Sequence, residues 1–342
     1  DGLPSPDGKL IAYNDKDYRL AIWNLEEKKE TLVATSNRDE PGNVAWSPDG
    51  RWLAYVRAAD NGYQQIFLYQ VEDGEKIELT SDRVDSYSPA WSADGKWLYF
   101  LSDREIRSLV GSPWGPRQPE PHFDQITKIY QVALQKGLRS PFRPSDELQE
   151  EKKEKKEEEK KEEKKEEEKK EEESSGEKKG EEGAGEAKKE EKKKEEKEPV
   201  RVKIDVEGLA GRLEEVPVPA GNYGELSATA KNLYFIKSET GFGASQQLQQ
   251  LEFKNDDPKP KTIIEGIRSY ALSTDRKKML VRKGDNIYVQ DADAGKLDEQ
   301  KRVRLDNWSF AINPREEWRQ MFVESWRLMR DYFYDRNMHG VD

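Results

Sequence analysis

Cysteine is absent from the 342 residues. Disulfides and thiolate metal sites are therefore excluded, and a reducing compartment is compatible with the composition. Histidine is almost absent too. His122 and His339 are the only two, which leaves little for imidazole catalysis or a zinc site. No apolar run approaches the roughly 18 residues a membrane helix needs. No signal peptide is visible, and the chain opens on Asp1 rather than Met, so a missing N-terminal portion is expected. Nine Trp and fourteen Tyr supply ample core material. The strongly negative mean hydropathy comes largely from one charged segment.

What is present is a repeat. Ser5-Pro6-Asp7-Gly8 precedes Lys-Leu-Ile-Ala-Tyr, Ser47-Pro48-Asp49-Gly50 precedes Arg-Trp-Leu-Ala-Tyr-Val, and Ser92-Ala93-Asp94-Gly95 precedes Lys-Trp-Leu-Tyr-Phe-Leu. The starts lie roughly 42 and 45 residues apart, the period of a four-stranded propeller blade. Asp-Gly is a tight-turn signal. The aromatic and aliphatic run after it reads as a buried inner strand. Further strands are expected at Leu20–Leu25 and Gln65–Val71, then at Lys76–Thr80. Val44-Ala45-Trp46 and Pro89-Ala90-Trp91 read as the innermost strands of the following blades.

Two degenerate copies follow. Leu226–Asn232 leads into Leu233–Ile236, and Leu272–Arg276 leads into Met279–Arg282. Asn286–Gln290 and the turn Asp293–Lys296 complete the last copy. The expectation is an all-β propeller of four-stranded blades, about five of them visible and the ring incomplete.

Residues 146–198 are almost entirely Glu and Lys. They have no apolar face and cannot join a core. Frequent i,i+4 Glu–Lys pairs predict a fluctuating helix followed by coil, either helical or disordered and solvated throughout. The two signs nearly cancel, so no basic field exists to hold nucleic acid. The insertion falls within blade three, with Lys128–Leu134 read as the third strand and Val202–Val206 as the fourth. Such a loop costs little closure entropy for its length. A second insertion, roughly Glu105–Asp124, is rich in Pro and Gly and carries Trp114 and His122. An ordered loop over one propeller face is expected, with a substrate-gating loop as the alternative.

After Phe310 the period changes. Asn313 can cap a helix, Pro314 suits its first position, and Glu316 and Glu317 favour its first turn. Trp318, Phe322, Trp326, Met329 and Phe333 form a stripe at helical spacing, and the helix is expected to run to about Tyr334. The stripe would dock on the propeller or begin a truncated helical domain. The expected division is 1–312 for the propeller, with the charged insertion at about 146–198, and 313–342 for the helical start.

No residue is assigned a catalytic, cofactor or metal role. His339 has no nucleophile or orienting partner nearby in sequence, so local packing or capping is the expectation. His122 is equally isolated. Asp7, Asp49 and Asp94 are turn formers, a whole blade apart from one another. Gly241-Phe242-Gly243 lacks the Lys of a phosphate loop. Ser245 and Ser273 have no nucleophile elbow around them.

Two features together resemble one family. The Ser-Pro-Asp-Gly-(Lys/Arg)-Trp-Leu-Ala-Tyr pattern is similar to the propellers of Tol-type and tricorn-type proteins. The more specific part is Glu317–Phe322, Glu324–Asp335 and Asn337–Asp342. It resembles the junction in bacterial tricorn protease homologs where the second propeller gives way to the helical part of the protease core. The charged insertion followed by Val216–Tyr223 is similar as well. The resemblance implies a serine peptidase of the tail-specific protease superfamily, with a PDZ module between the halves of its core. It further implies oligopeptide substrates, propellers that gate or channel them, a homo-oligomer, a cytoplasmic or alternatively periplasmic location, and no cofactor. The family's catalytic residues would all lie beyond this junction, leaving this chain inert alone. A non-enzymatic protein-binding propeller and a propeller preceding a prolyl-oligopeptidase-like domain remain as alternatives.

Overall fold

The computed structural model describes residues 2–106, 108–109, 122–144, 200–241, 243–335 and 337–341. The charged insertion 146–198, Trp114, Phe242, Asp342 and the side chain of His122 lie outside the described residues. Two compact units are distinguished. The larger comprises Asp1–Arg139, Val200–Phe253 and Pro258–Asp342, and the smaller Ser140–Pro199 with Lys254–Asp257. Within the smaller, the Ser140 hydroxyl accepts from the Phe142 N–H at 3.1 Å, closing a turn.

The repeated tetrapeptide builds the same local structure each time. Ser5 donates its hydroxyl proton to Asp7 Oδ1 at 2.6 Å, as Ser47 does to Asp49 and Ser92 to Asp94 at the same distance. The serine oxygen then accepts the N–H that opens the next strand, from Leu10, Trp52 and Trp97 at 2.9–3.0 Å. Gly8, Gly50 and Gly95 occupy the left-handed position, with φ between 67° and 71°. A residue with a Cβ pays a steric cost there.

Five antiparallel sheets follow from these turns. The first contains β1 (Gly2–Pro4), β2 (Leu10–Asn14), β3 (Arg19–Asn24) and β4 (Lys29–Thr35). The second contains β5 (Gly42–Trp46), β6 (Trp52–Ala58), β7 (Gln64–Gln70) and β8 (Lys76–Glu78). The third contains β9 (Ser86–Trp91) and β10 (Trp97–Asp103). A short hairpin of β11 (Ser108–Leu109) and β12 (His122–Phe123) interrupts it before β13 (Thr127–Ala133) and β14 (Leu213–Glu215) complete it. The fourth contains β15 (Asn222–Ala228), β16 (Asn232–Ser238), β17 (Gln246–Glu252) and β18 (Lys261–Glu265). The fifth has three strands, β19 (Ile267–Leu272), β20 (Lys278–Lys283) and β21 (Asn286–Asp291). Its outer edge keeps only a bridge from Tyr288 to Arg302.

The sheets pack face to face through continuous buried clusters. Leu20, Ile22, Leu53 and Tyr55 join the first two sheets, and Ile66, Leu68, Leu98 and Phe100 join the second and third. Tyr234, Leu248, Met279 and Val281 join the fourth and fifth. Between the third and fourth, Tyr99 stacks on Phe253 with centroids 5.5 Å apart. The Leu226 N–H also donates to the Ser88 hydroxyl at 2.9 Å. The described residues form a β-propeller of five blades, the number visible in the repeat.

One strand assignment is corrected. Val202–Val206 alternates like a strand but pairs with none. The Val202 N–H donates to Asp49 Oδ2 at 2.7 Å, and the Val202 side chain sits over Gly95. Arg212 then fastens the segment, donating to the carbonyls of Ala133 and Glu207 at 2.8 Å and also to that of Asp205. The edge of β13 is taken instead by β14, with Val132 opposite Leu213 and Tyr130 opposite Glu215.

The C-terminal helix α1 spans Pro314–Tyr332. Asn313 caps it, accepting from the Arg315 N–H at 3.2 Å. It ends two residues earlier than the sequence predicts, because Phe333 turns extended. None of its residues is buried, and Trp318, Phe322 and Trp326 are 66%, 74% and 55% exposed. The stripe is therefore not docked on the propeller.

Candidate functional site

The inner strands β1, β5, β9, β15 and β19 converge on one cavity of about 760 Å³. Turn residues of the repeats, Pro6, Ser47, Pro48 and Ala93 among them, also line it. Its wall is largely apolar, with Pro4, Pro6, Pro48 and Pro89 among the lining residues. Proline has no N–H, so these stretches present few backbone donors to the cavity.

Each inner strand is fixed to the one before it. The Trp46 indole N–H donates to the Leu3 carbonyl at 3.0 Å, and Trp91 does the same to the Ala45 carbonyl at 3.0 Å. Asn43, Ser88 and Glu225 lie at bulges in β5, β9 and β15, all with positive φ. The Asn43 amide oxygen accepts from the Ser88 N–H at 2.9 Å. In β19 the Tyr270 hydroxyl reaches the carbonyls of Glu225 and Tyr234, accepts from Ser227 at 2.9 Å, and burial pushes its pKa up. These bonds satisfy backbone groups that the bulges would otherwise strand inside the wall.

The rim is where the degenerate copies depart from the rule. In the fourth, Thr229 replaces the serine and no turn aspartate follows. Asp293 of the fifth repeat supplies the missing carboxylate, accepting from Asn232 at 2.9 Å and from the Tyr234 hydroxyl at 3.2 Å. In the fifth, Ser273 donates to Asp275 at 2.6 Å, and this bond lowers the Asp275 pKa. Arg276 stands at the glycine position with φ 57°. Its guanidinium donates from Nη1 to the Trp91 carbonyl of the third sheet at 2.8 Å. Burial pushes its pKa below the ordinary arginine value.

The residues weighed from sequence are dispersed. Asp7, Asp49 and Asp94 are held in their own turns. The Asp7 pKa is lowered, chiefly by the Ser5 hydroxyl. The Ser273 hydroxyl is spent on Asp275. The Ser245 carbonyl closes a hairpin loop with the Glu239 N–H at 3.2 Å. His339 folds back past the end of α1, with Nδ1 3.1 Å from Asp335 Oδ2 and Nε2 against the Tyr334 hydroxyl. Asp335, four residues before it, thus orients the imidazole, a partner not expected from the sequence. Among the described residues no group of three or more His, Asp or Glu could hold a metal ion. None of their helices is long and apolar enough to cross a membrane. Sequence reading missed Arg276 and Asp293. Their signal was a broken repeat: Arg276 stands where glycine belongs, and the fourth copy lacks the turn aspartate that Asp293 replaces.

Comparisons with known proteins agree with this geometry. Residues 2–293 match the tricorn protease second beta propeller domain, and residues 314–342 match the tricorn protease C1 domain. "Tricorn protease homolog 1" of Streptomyces coelicolor is 26% identical over 363 residues, covering 99% of this chain and 30% of that protein. "Putative Tricorn-like protease C-terminal subunit" of Sulfurisphaera tokodaii is 24% identical over 345 residues, covering 96% of this chain and 33% of that protein. A crystal structure of the tricorn protease superposes with a TM-score of 0.75 at 18% identity, over 99% of this chain and 30% of that one. The chain thus spans about a third of the length of the curated relatives it matches.

Proposed function

The chain belongs to the tricorn protease second beta propeller family, and on that premise we propose that its parent protein is a serine peptidase acting on oligopeptides. In this reading the propeller, residues 1–312, admits peptide or holds its ends near an active site supplied by other parts of the same polypeptide. Residues 313–342 begin the helical part of that core, in keeping with the match to the C1 domain. A PDZ module, a homo-oligomeric assembly and a cytoplasmic location belong to the same proposal.

The cavity of about 760 Å³ framed by all five inner strands carries the reading. It offers an apolar wall and fixed carbonyls; its Ser273 hydroxyl is held by Asp275 within one turn, and no histidine stands among the described lining residues. Such a surface suits transit of a chain and not chemistry on it. A second reading, a non-catalytic propeller that binds protein partners, is favoured by the exposed stripe of α1.

The test is hydrolysis by the parent protein with a Thr274→Trp substitution on the exposed rim. The kcat/KM for peptides of about ten residues is expected to fall several-fold, with single-residue fluorogenic amides unaffected. A serine-directed inhibitor should abolish both activities, and this chain alone should show neither. Equal effects on long and short substrates would remove the channel reading. Hydrolysis by this chain alone would overturn the placement of the catalytic residues.

A further inference from the structure

Arg276 sits where three other repeats place glycine. Its left-handed backbone carries a cost of about 1 kcal/mol for any residue with a Cβ. A turn needs no guanidinium, so the side chain rather than the turn must account for this residue. It reaches from the fifth sheet to the third and ends on the Trp91 carbonyl.

Among the described residues that is its one hydrogen bond, and no carboxylate pairs with it. Guanidinium has five N–H donors in a planar fork. Here one is spent on a neutral acceptor. The fork lies within a cavity of mainly apolar lining, where a charge-assisted bond is worth more than in water. Asp94 lies close enough to favour the charged form, but is not in contact. A carboxylate entering the cavity would meet a cation whose present partner is the weaker one. Lys277, on the same rim, is exposed and paired with Asp275 at 3.7 Å, and Asp291 and Asp293 also line the cavity, so Arg276 is the cation there that no carboxylate contacts.

We propose that Arg276 binds a carboxylate of the peptide in the channel mouth, so that the channel selects chains presenting either a free C-terminus or an acidic side chain. The proposal rests on the peptide-channel reading above and adds to it the class of ligand. Carboxylate binding exchanges the Trp91 carbonyl for a two-pronged ion pair, and the side chain swings away from that carbonyl to do so.

The experiment is calorimetric titration of the chain at low salt with three acetylated alanine pentapeptides. One has a free C-terminus, one is its C-terminal amide, and one is the amide with a single internal glutamate. The free acid is expected to bind on the order of 10-fold to 100-fold more tightly than the amide. The glutamate peptide equals the acid if charge alone is read, and equals the amide if the C-terminus is read. Arg276→Gly should fold normally, since it restores the residue of the other turns. It should erase the preference for acid while leaving amide binding intact. Arg276→Lys should recover only part of the preference, for want of the fork. Amide and acid peptides binding equally to the unaltered chain would overturn the assignment and leave the channel reading standing. So would a preference that survives Arg276→Gly. Binding of no peptide at all would overturn both.

Discussion

The third and fifth sheets are built from the same repeat, yet they bury themselves differently. In β10 every residue from Trp97 to Ser102 is buried. In β20 burial alternates, with Met279 and Val281 inside and Leu280 42% exposed, and on β21 Val289 is 41% exposed. The third sheet has a neighbour on each face, through Ile66 and Leu68 on one side and Phe253 on the other. The fifth shares its cluster with the fourth sheet only. A sheet enclosed on both faces tolerates an unbroken apolar run, whereas one enclosed on a single face reads as period two. The burial pattern of a strand thus reports how many neighbours its sheet has.

Deleting equivalent side chains should separate the two most clearly. Phe100→Ala is expected to cost about 3–5 kcal/mol, because both of its surroundings are filled. Leu280→Ala should cost about 1 kcal/mol or less. Denaturant titration of the two variants measures this, and equal losses would break the comparison.

Turn glycines should differ less. At Gly95 an added Cβ would lie 2.6 Å from Val202 Cγ2, in a backbone with φ 67°. Gly95→Ala should therefore cost about 2 kcal/mol or more. Gly284, in the β20–β21 hairpin, has φ 57° but open space around it. There only the backbone term remains, about 1 kcal/mol. Thermal melts of both variants check the ordering.

The smallest effect is one of pH, with opposite signs in the two sheets. Burial raises the Asp103 pKa from its ordinary 3.8, against hydrogen bonds from Thr127 and Tyr87 that lower it. A raised carboxylate costs stability above its folded pKa, and that cost vanishes as the pH falls below the unfolded value. The Asp275 carboxyl is lowered from 3.8, so its contribution is present above that value and is lost as the pH falls through the folded pKa. Relative to Asp103→Asn, the unaltered chain should gain stability on acidification. Relative to Asp275→Asn it should lose it. Unfolding curves between about pH 3 and 7 decide, and slopes of the same sign would refute the assignment of causes.

Much of this architecture is legible in the chain itself. Ser5, Asp7 and Gly8 and their copies announce the turns because each does one local job within a few residues. Asn313 and Pro314 announce a helix start for the same reason. The outer edge of the third sheet was not legible. Val202, Ile204 and Val206 alternate as a strand does, and nothing local reveals that Arg212 and Asp49 occupy the backbone groups a ladder would need. The cavity at the inner strands was equally hidden. Arg276 and Trp91 are joined by a hydrogen bond spanning 185 positions, and Asp293 serves a repeat other than its own. Period and propensity carry no information about such distant partners.

The indole of Trp91 reaches back to Ala45, and that of Trp46 to Leu3. In both pairs the acceptor is synthesised about 45 residues before its donor. A blade leaving the ribosome therefore finds its carbonyl partner already in place and waits for nothing downstream to complete that joint. At these two joints assembly has a direction written into it, from N-terminus to C-terminus, each wedge seating against the last.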